Sequence, residues 1–150
     1  MTTVNLLKIL TVITAVIFFG GSAFAAETNS TNPLTLVNAE RSSAGLLKLK
    51  SDRRLEKAAK AHAQDMAKFN FISHTGSNGS DLRKRLKRAG YKPCYGAENL
   101  ALATKSWPDT VEKWMESSGH KTNILDKRAA SVGFWQVDKR YWVMVVGKKC

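Results

Sequence analysis

Residues 114–125 read W-M-E-S-S-G-H-K-T-N-I-L, and this stretch sets what the rest of the chain must supply. Trp114 and Met115 are large apolar anchors, and a carboxylate, two serines, a histidine and an amide follow within nine positions. No single helical period runs through it, because Gly119 interrupts the apolar spacing just before His120. The expectation is a helix that stops ahead of His120 and turns its imidazole toward a cleft, where a buried helix face would hide it. Only His62 and His74 accompany His120 in the chain.

Working outward, Ser106 and Asp109 form a capping box with Pro108 in the first turn, so a helix runs from there into the stretch. Val111, Trp114 and Met115 are its buried face. Further upstream, Pro93, Cys94 and Gly96 break the chain before A-E-N-L-A-L at 97–102, where alternating apolar positions predict a strand or extended edge with the acid Glu98 inside it. Downstream, residues 132–137 and 141–146 are β-rich runs joined by Asp138-Lys139-Arg140, an antiparallel hairpin in which Gly133 suggests a bulge.

The first half of the chain reads as helices. Pro33 opens one in which Leu34, Val37, Arg41 and Ala44 keep helical spacing up to Gly45, with Asn38 and Arg41 on a shared face. Ser51 or Asp52 caps the next. There Leu55, Ala58, Ala59, His62, Ala63, Met66 and Ala67 form the strongest apolar stripe in the chain. His62 on that stripe is expected to be a core residue bonded to a carbonyl, outside any site. His74, in I-S-H-T-G at 72–76, sits where a helix hands over to a Gly/Ser/Asn-rich loop. Ser80 is the expected cap of a short helix from Asp81 to Gly90. It carries Arg83, Lys84, Arg85, Lys87 and Arg88 beside a narrow stripe of Leu82, Leu86 and Ala89. Such a run reads as a solvated face or a contact for anions. Helices first and antiparallel strands last predict an α+β fold with helices covering a sheet.

Residues 1–25 carry the pattern of a cleaved export signal. Lys8 closes the n-region, 9–19 is apolar, and Ala23-Phe24-Ala25 is a cleavage site. The apolar run falls short of the roughly 20 residues a bilayer span needs. A polar leader at 26–33 and one domain at 34–150 account for the rest, of a size that buries a single core. The full chain has 24 Lys and Arg against 12 Asp and Glu, and the signal removes one lysine. That balance favours anionic lipid or a cell-wall polyanion as partner, and no specific nucleic-acid motif is present. Cys94 and Cys150 form an even pair in an exported chain and are expected to be disulfide-bonded; neither has the C-x-x-C neighbour of a metal site. The expected location is secreted or periplasmic.

Five motifs in order, N-A-E-R at 38–41, A-H-A-Q-D-M-A at 61–67, I-S-H-T-G at 72–76, G-A-E-N-L at 96–100 and the opening stretch, resemble the CAP superfamily. That family comprises the cysteine-rich secretory proteins, venom allergens and plant pathogenesis-related proteins, and the likeness is to its short bacterial secreted branch with an SCP domain. The resemblance implies a three-layer α-β-α sandwich with a central antiparallel sheet and a cleft holding two histidines and two acids. His74, Glu98 and His120 match three of the four. Ser117 stands where eukaryotic members carry the fourth, an acid.

Two imidazoles and one carboxylate make the ligand set of an open zinc site, here expected to bind weakly because serine is a poor partner for a dication. They also suit acid–base work. No H-E-x-x-H or G-x-S-x-G pattern is present, although Ser73 and Ser117 lie beside histidines. The leading expectation is a binding module of the envelope or medium, with the His/Glu cleft taking an anionic or lipid-like ligand and Arg83, Lys84, Arg85 and Arg88 contacting anions. The alternative is a metal-assisted, peptidase-like hydrolase using the same cleft.

Overall fold

A computed structural model describes residues 31–150; the expected signal at 1–25 and most of the leader lie outside the described residues. The order is α1 (Pro33–Ser43), β1 (Lys50–Ser51), α2 (Arg53–Phe69), α3 (Leu82–Arg88), β2 (Pro93–Leu102), α4 (Trp107–Glu116), α5 (Ser118–Ile124), β3 (Ser131–Val137) and β4 (Tyr141–Lys149).

Capping chemistry explains most boundaries. Asn32, placed in the leader by sequence, accepts from Leu34 N at the start of α1, with Pro33 next. Asp52 caps α2 by accepting from Arg54 N, and Asn70 closes it in the left-handed conformation at φ 51°. Asp81, rather than Ser80, caps α3 by accepting from Lys84 N at 2.7 Å. The break before His120 is real, but Gly119 does not make it. Ser117, extended at φ −92° and ψ 121°, ends α4 and starts α5, so His120 lies inside a second short helix rather than past the end of one.

The sheet has the order β1-β3-β4-β2. Its three long strands are antiparallel, as expected. The two-residue β1 pairs in parallel with β3, which makes the sheet mixed. The turn from β3 to β4 holds Asp138 and Lys139 at φ 54° and 50°, and Arg140 N donates back to Val137 O at 2.9 Å. Two positive-φ residues at the centre of a tight turn match the right-handed strand twist.

Strand β4 is buried from Tyr141 through Gly147, as a central strand covered on both faces must be. Its side chains alternate. Tyr141, Val143 and Val145 join Leu55, Ala59, Ala63 and Met66 of α2 and Leu86 of α3. Trp142, Met144 and Val146 face Val37 of α1, Val111 and Trp114 of α4 and Ile124 of α5. Two cores on either side of one sheet are the α-β-α sandwich. On the second face Trp107 meets Trp142 edge-on, with ring centroids 4.7 Å apart.

Gly133 is not a bulge, since β3 keeps register with β4 through it. Helix α2 instead lies directly on it. A Cβ there would overlap backbone atoms of Leu55 and Glu56, coming within 2.6 Å of Glu56 Cα. The one irregularity is in β2, between Pro93 and Tyr95, where Cys94 bonds to Cys150. With a sequence separation of 56, that disulfide contributes roughly 4 kcal/mol in the chain-entropy account.

Gly133→Ala therefore tests the α2–sheet contact. Its obstacle is backbone, which no rotamer change relieves, so a loss of about 3 kcal/mol is expected by urea denaturation. A loss below about 0.5 kcal/mol, the usual size of a surface change, would mean that α2 is not seated on β3 in this way.

Candidate functional site

Strand β2 is an edge strand, with α3 packed on one face and α4 and α5 on the other. Glu98 points to the α2/α3 face and Asn99 to the α5 face, because successive residues of a strand alternate. Glu98 is 6% exposed. Arg85 of α3 reaches it with Nη2, which donates to Oε2 at 2.8 Å and Oε1 at 2.9 Å. Its Nη1 donates to the carbonyls of Ser80 at 2.7 Å and His74 at 3.0 Å. His74 adds a third bond to the carboxylate, Nδ1 donating to Oε1 at 2.8 Å. The His74 ring is otherwise exposed, with 62% of its side chain open to solvent.

The loop that presents His74 is held from below. His62 Nε2 donates to the Ser73 carbonyl at 2.8 Å, as expected for a core histidine. It also lies 3.8 Å from Glu98 Oε1, so it is a neighbour of the site and not remote from it. On the other face, the Asn99 side chain donates to His120 O at 3.0 Å and accepts from Asn123 Nδ2 at 2.8 Å. These bonds pin the backbone of α5 to β2. Trp114 Nε1 donates to Leu100 O at 3.0 Å and Asn123 Nδ2 to Glu98 O at 3.3 Å, so side chains satisfy carbonyls of the edge strand.

The three histidines are pushed apart electrostatically. The hydrogen bond to Glu98 raises His74 above its ordinary value, outweighing desolvation. Burial lowers His62, against the pull of Glu98, and burial also lowers His120, helped by repulsion from His74. The site thus pairs an exposed imidazole whose pKa is raised with a half-buried one whose pKa is lowered.

Of the expected site residues, His74 and Glu98 are in contact, and His120 is close enough to feel the charge on His74. The His120 ring makes no hydrogen bond to either. Ser117 is half-buried at the α4–α5 junction, and its side chain caps neither helix. Among the described residues no group of three His, Cys, Asp or Glu side chains is arranged to hold a metal ion. The donor chemistry gives the reason: both oxygens of Glu98 already accept from Arg85, and a carboxylate so engaged has little left for a cation. Of the serines beside histidines, Ser73 is not activated. Ser73 Oγ accepts from Thr75 N and bonds to no histidine.

Arg85 requires a correction. It was expected on the outer basic face with Arg83, Lys84 and Arg88; those three are exposed, whereas Arg85 is 6% exposed and spent on Glu98. The signal was present. Arg85 follows Leu82 by three and precedes Ala89 by four, which places it on the apolar stripe of α3.

Residues 34–146 match the CAP family, described as the cysteine-rich secretory protein family. The chain is 34% identical over 103 residues to the uncharacterized protein YkwD of Bacillus subtilis, a match over 69% of this chain and 40% of that protein. It is 31% identical over 109 residues to the uncharacterized membrane protein YlbC of the same organism, covering 73% of this chain and 31% of the other. In solved structures, an extracellular SCP-domain protein of Bacillus anthracis superposes with a TM-score of 0.75 at 26% identity, over 78% of this chain and 39% of that one. The chain thus spans less than half the length of these relatives. Among the described residues no helix is long and apolar enough to cross a membrane.

Two measurements check the site. Arg85→Leu leaves the Glu98 carboxylate buried with one cationic partner, and should cost about 3–5 kcal/mol of stability by urea denaturation. A cost below about 1 kcal/mol would mean the pair is no more than a surface ion pair. In an NMR titration, His74 should protonate above about 6.5 and His120 below it, and Glu98→Gln should bring His74 down. The stability from protonated His74 is fully present below about pH 6.5 and is lost as pH rises through its raised folded value. A His74 titration unchanged by Glu98→Gln would remove that coupling.

Proposed function

The chain belongs to the CAP, or cysteine-rich secretory protein, family, and from that premise we propose that it is a binding module of the cell envelope or medium, holding an anionic ligand at the His74/His120 cleft and the adjoining basic face of α3. The observation that carries this is the state of Glu98. A carboxylate that accepts from Arg85 twice and from His74 once is not free to draw a proton from water. What it does is orient His74 and raise its pKa, favouring the protonated form of a largely exposed ring. Arg83, Lys84 and Arg88 are exposed on the helix whose Arg85 anchors the same carboxylate, so cationic groups lie to one side of His74. A hydrolase reading would rest on His120, whose ring is bonded to neither His74 nor Glu98, because Glu98 itself is occupied by Arg85. Its similarity to an extracellular protein and to a membrane protein favours a location outside the cytoplasm, in the medium or the periplasm.

Binding of the purified, disulfide-bonded protein to phosphatidylglycerol vesicles and to soluble teichoic acid, each against a neutral control, tests this and separates the two anion sources. Binding to at least one should weaken with added salt and be stronger at pH 6 than at pH 8. At about 1 kcal/mol per basic residue at a membrane surface, changing Arg83, Lys84 and Arg88 together to Gln should reduce vesicle affinity about 100-fold. His74→Ala should abolish the pH dependence. Binding at low salt unchanged in both variants would reject the reading.

A further inference from the structure

Among the described residues Leu47 is the most exposed large hydrophobic side chain, at 87%. A lone exposed leucine is ordinary on a protein surface. Two features set this one apart. The first is that its backbone is held. Buried Arg41 of α1 accepts at its carbonyl from Leu46 N and donates from Nε to Leu47 O, both at 2.9 Å. Two residues on, the Asn38 side chain donates to Leu49 O at 3.0 Å and accepts from Leu49 N at 2.7 Å. These bonds fix the course of the chain from α1 to β1, with Leu49 turned into the core and Leu47 turned out. The second feature is what surrounds it. Lys48, Lys50, Lys127 and Lys148 line one concavity with Leu47 and the half-buried Leu46. No acidic side chain lines it, and Arg128, also at its wall, is taken up by Asp126 at 2.6 Å. Among the described residues none of the four lysines has a carboxylate within ion-pair distance.

We propose that this loop is an interfacial anchor that docks the protein on an anionic bilayer, with Leu47 entering the acyl boundary and the lysines lying at the headgroups. An apolar side chain ringed by lysines matches a surface that is negative outside and hydrocarbon within. Lysine suits the position, because its aliphatic stem can lie along apolar surface while the ammonium stays in water. A soluble polyanion would satisfy the lysines and leave Leu47 in water, so the leucine is what selects lipid. Because Arg41 and Asn38 already hold the loop, docking orders little chain and more of the contact appears as affinity. One leucine makes a weak, reversible anchor. The surface is separate from the cleft. Helices α1 and α3 pack on opposite faces of the sheet, and Leu47 leads into β1, the edge strand farthest from β2. None of these residues belongs to α3 or to the His74 cleft, so the proposal stands whether or not the cleft holds an anion.

The probe is a vesicle of phosphatidylglycerol mixed with phosphatidylcholine, with pure phosphatidylcholine as control, and sedimentation gives the affinity. Leu47→Ser should weaken binding to the mixed vesicles about tenfold and leave binding to soluble teichoic acid unchanged. At 87% exposure the substitution disturbs no packing. Changing Lys48, Lys50 and Lys127 together to Gln should weaken vesicle binding about 100-fold. In Leu47→Trp the added emission should shift to the blue and be quenched by brominated acyl chains, to the same extent at pH 6 and pH 8, since no histidine lines the concavity. Measured on fully bound protein, that quenching should persist when His74→Ala, or the Gln changes at Arg83, Lys84 and Arg88, are added. Those changes test the cleft reading and leave this one untouched. Unchanged vesicle affinity in Leu47→Ser, no quenching of Leu47→Trp in bound protein, or equal binding to pure phosphatidylcholine would each overturn the proposal. Loss of the quenching in the α3 variant would also overturn it, and would move the membrane contact to α3.

Discussion

The contact between Arg85 and Glu98 is the constraint on which the functional end of this molecule depends. It joins three segments that secondary structure alone leaves independent: helix α3, edge strand β2, and the loop after α2 through the carbonyls of His74 and Ser80. Taking a guanidinium and a carboxylate out of water costs several kcal/mol per ion, and only dense hydrogen bonding repays it. Here the guanidinium makes four bonds and the carboxylate accepts three. A hydrophobic pair of equal volume would stabilise the layer as well. It would not fix the direction of His74, and that directional role is what the charged pair adds.

Much of the fold could be read from local chemistry because local chemistry decides it. The apolar face of α2 from Leu55 to Met66 is buried as its spacing requires, and the β3–β4 hairpin forms with its turn at Asp138 and Lys139. Glu98 stood out as an acid among alternating apolar residues, and it is buried because a partner meets it. The two misread glycines show where local reasoning ends. Gly119 resembled a helix stop, yet the extended backbone of Ser117 is the break. Gly133 resembled a bulge, yet its role is to let the backbone of α2 come down on β3, a contact between segments about 77 residues apart that no window of sequence displays. Arg85 was misplaced for a different reason. Its charge was counted with its neighbours, when its position on the Leu82–Leu86–Ala89 stripe demanded burial.

The edge position of β2 explains why the site lies there. A strand in the middle of a sheet has both backbone sides consumed by neighbours, whereas β2 leaves one side open, and an open side must be covered or charged. This chain covers it with polar side chains from α4 and α5, Trp114 and Asn123 donating to strand carbonyls. The N-A-E-R segment of α1 secures that cover from behind. Arg41, 1% exposed, donates to the carbonyls of Ile124 and Asp126 at the end of α5, and Asn38 brackets the backbone of Leu49. Motifs far apart in sequence thus serve one purpose, holding α5 against the edge so that His120 sits opposite His74.

The opposed shifts of those two histidines then have a structural cause at each end. His74 is hydrogen-bonded to a carboxylate, and that bond outweighs the desolvation that opposes the cation. His120 is half-buried, without an anion of its own, and repelled by His74, so its pKa is lowered. Separated values of this kind are what an acid–base pair in an enzyme needs, and also what a ligand with one anionic oxygen and one hydroxyl needs. Glu98, closed off on both oxygens by Arg85, carries no proton itself in either case; its part is to hold the direction of His74 and raise its pKa.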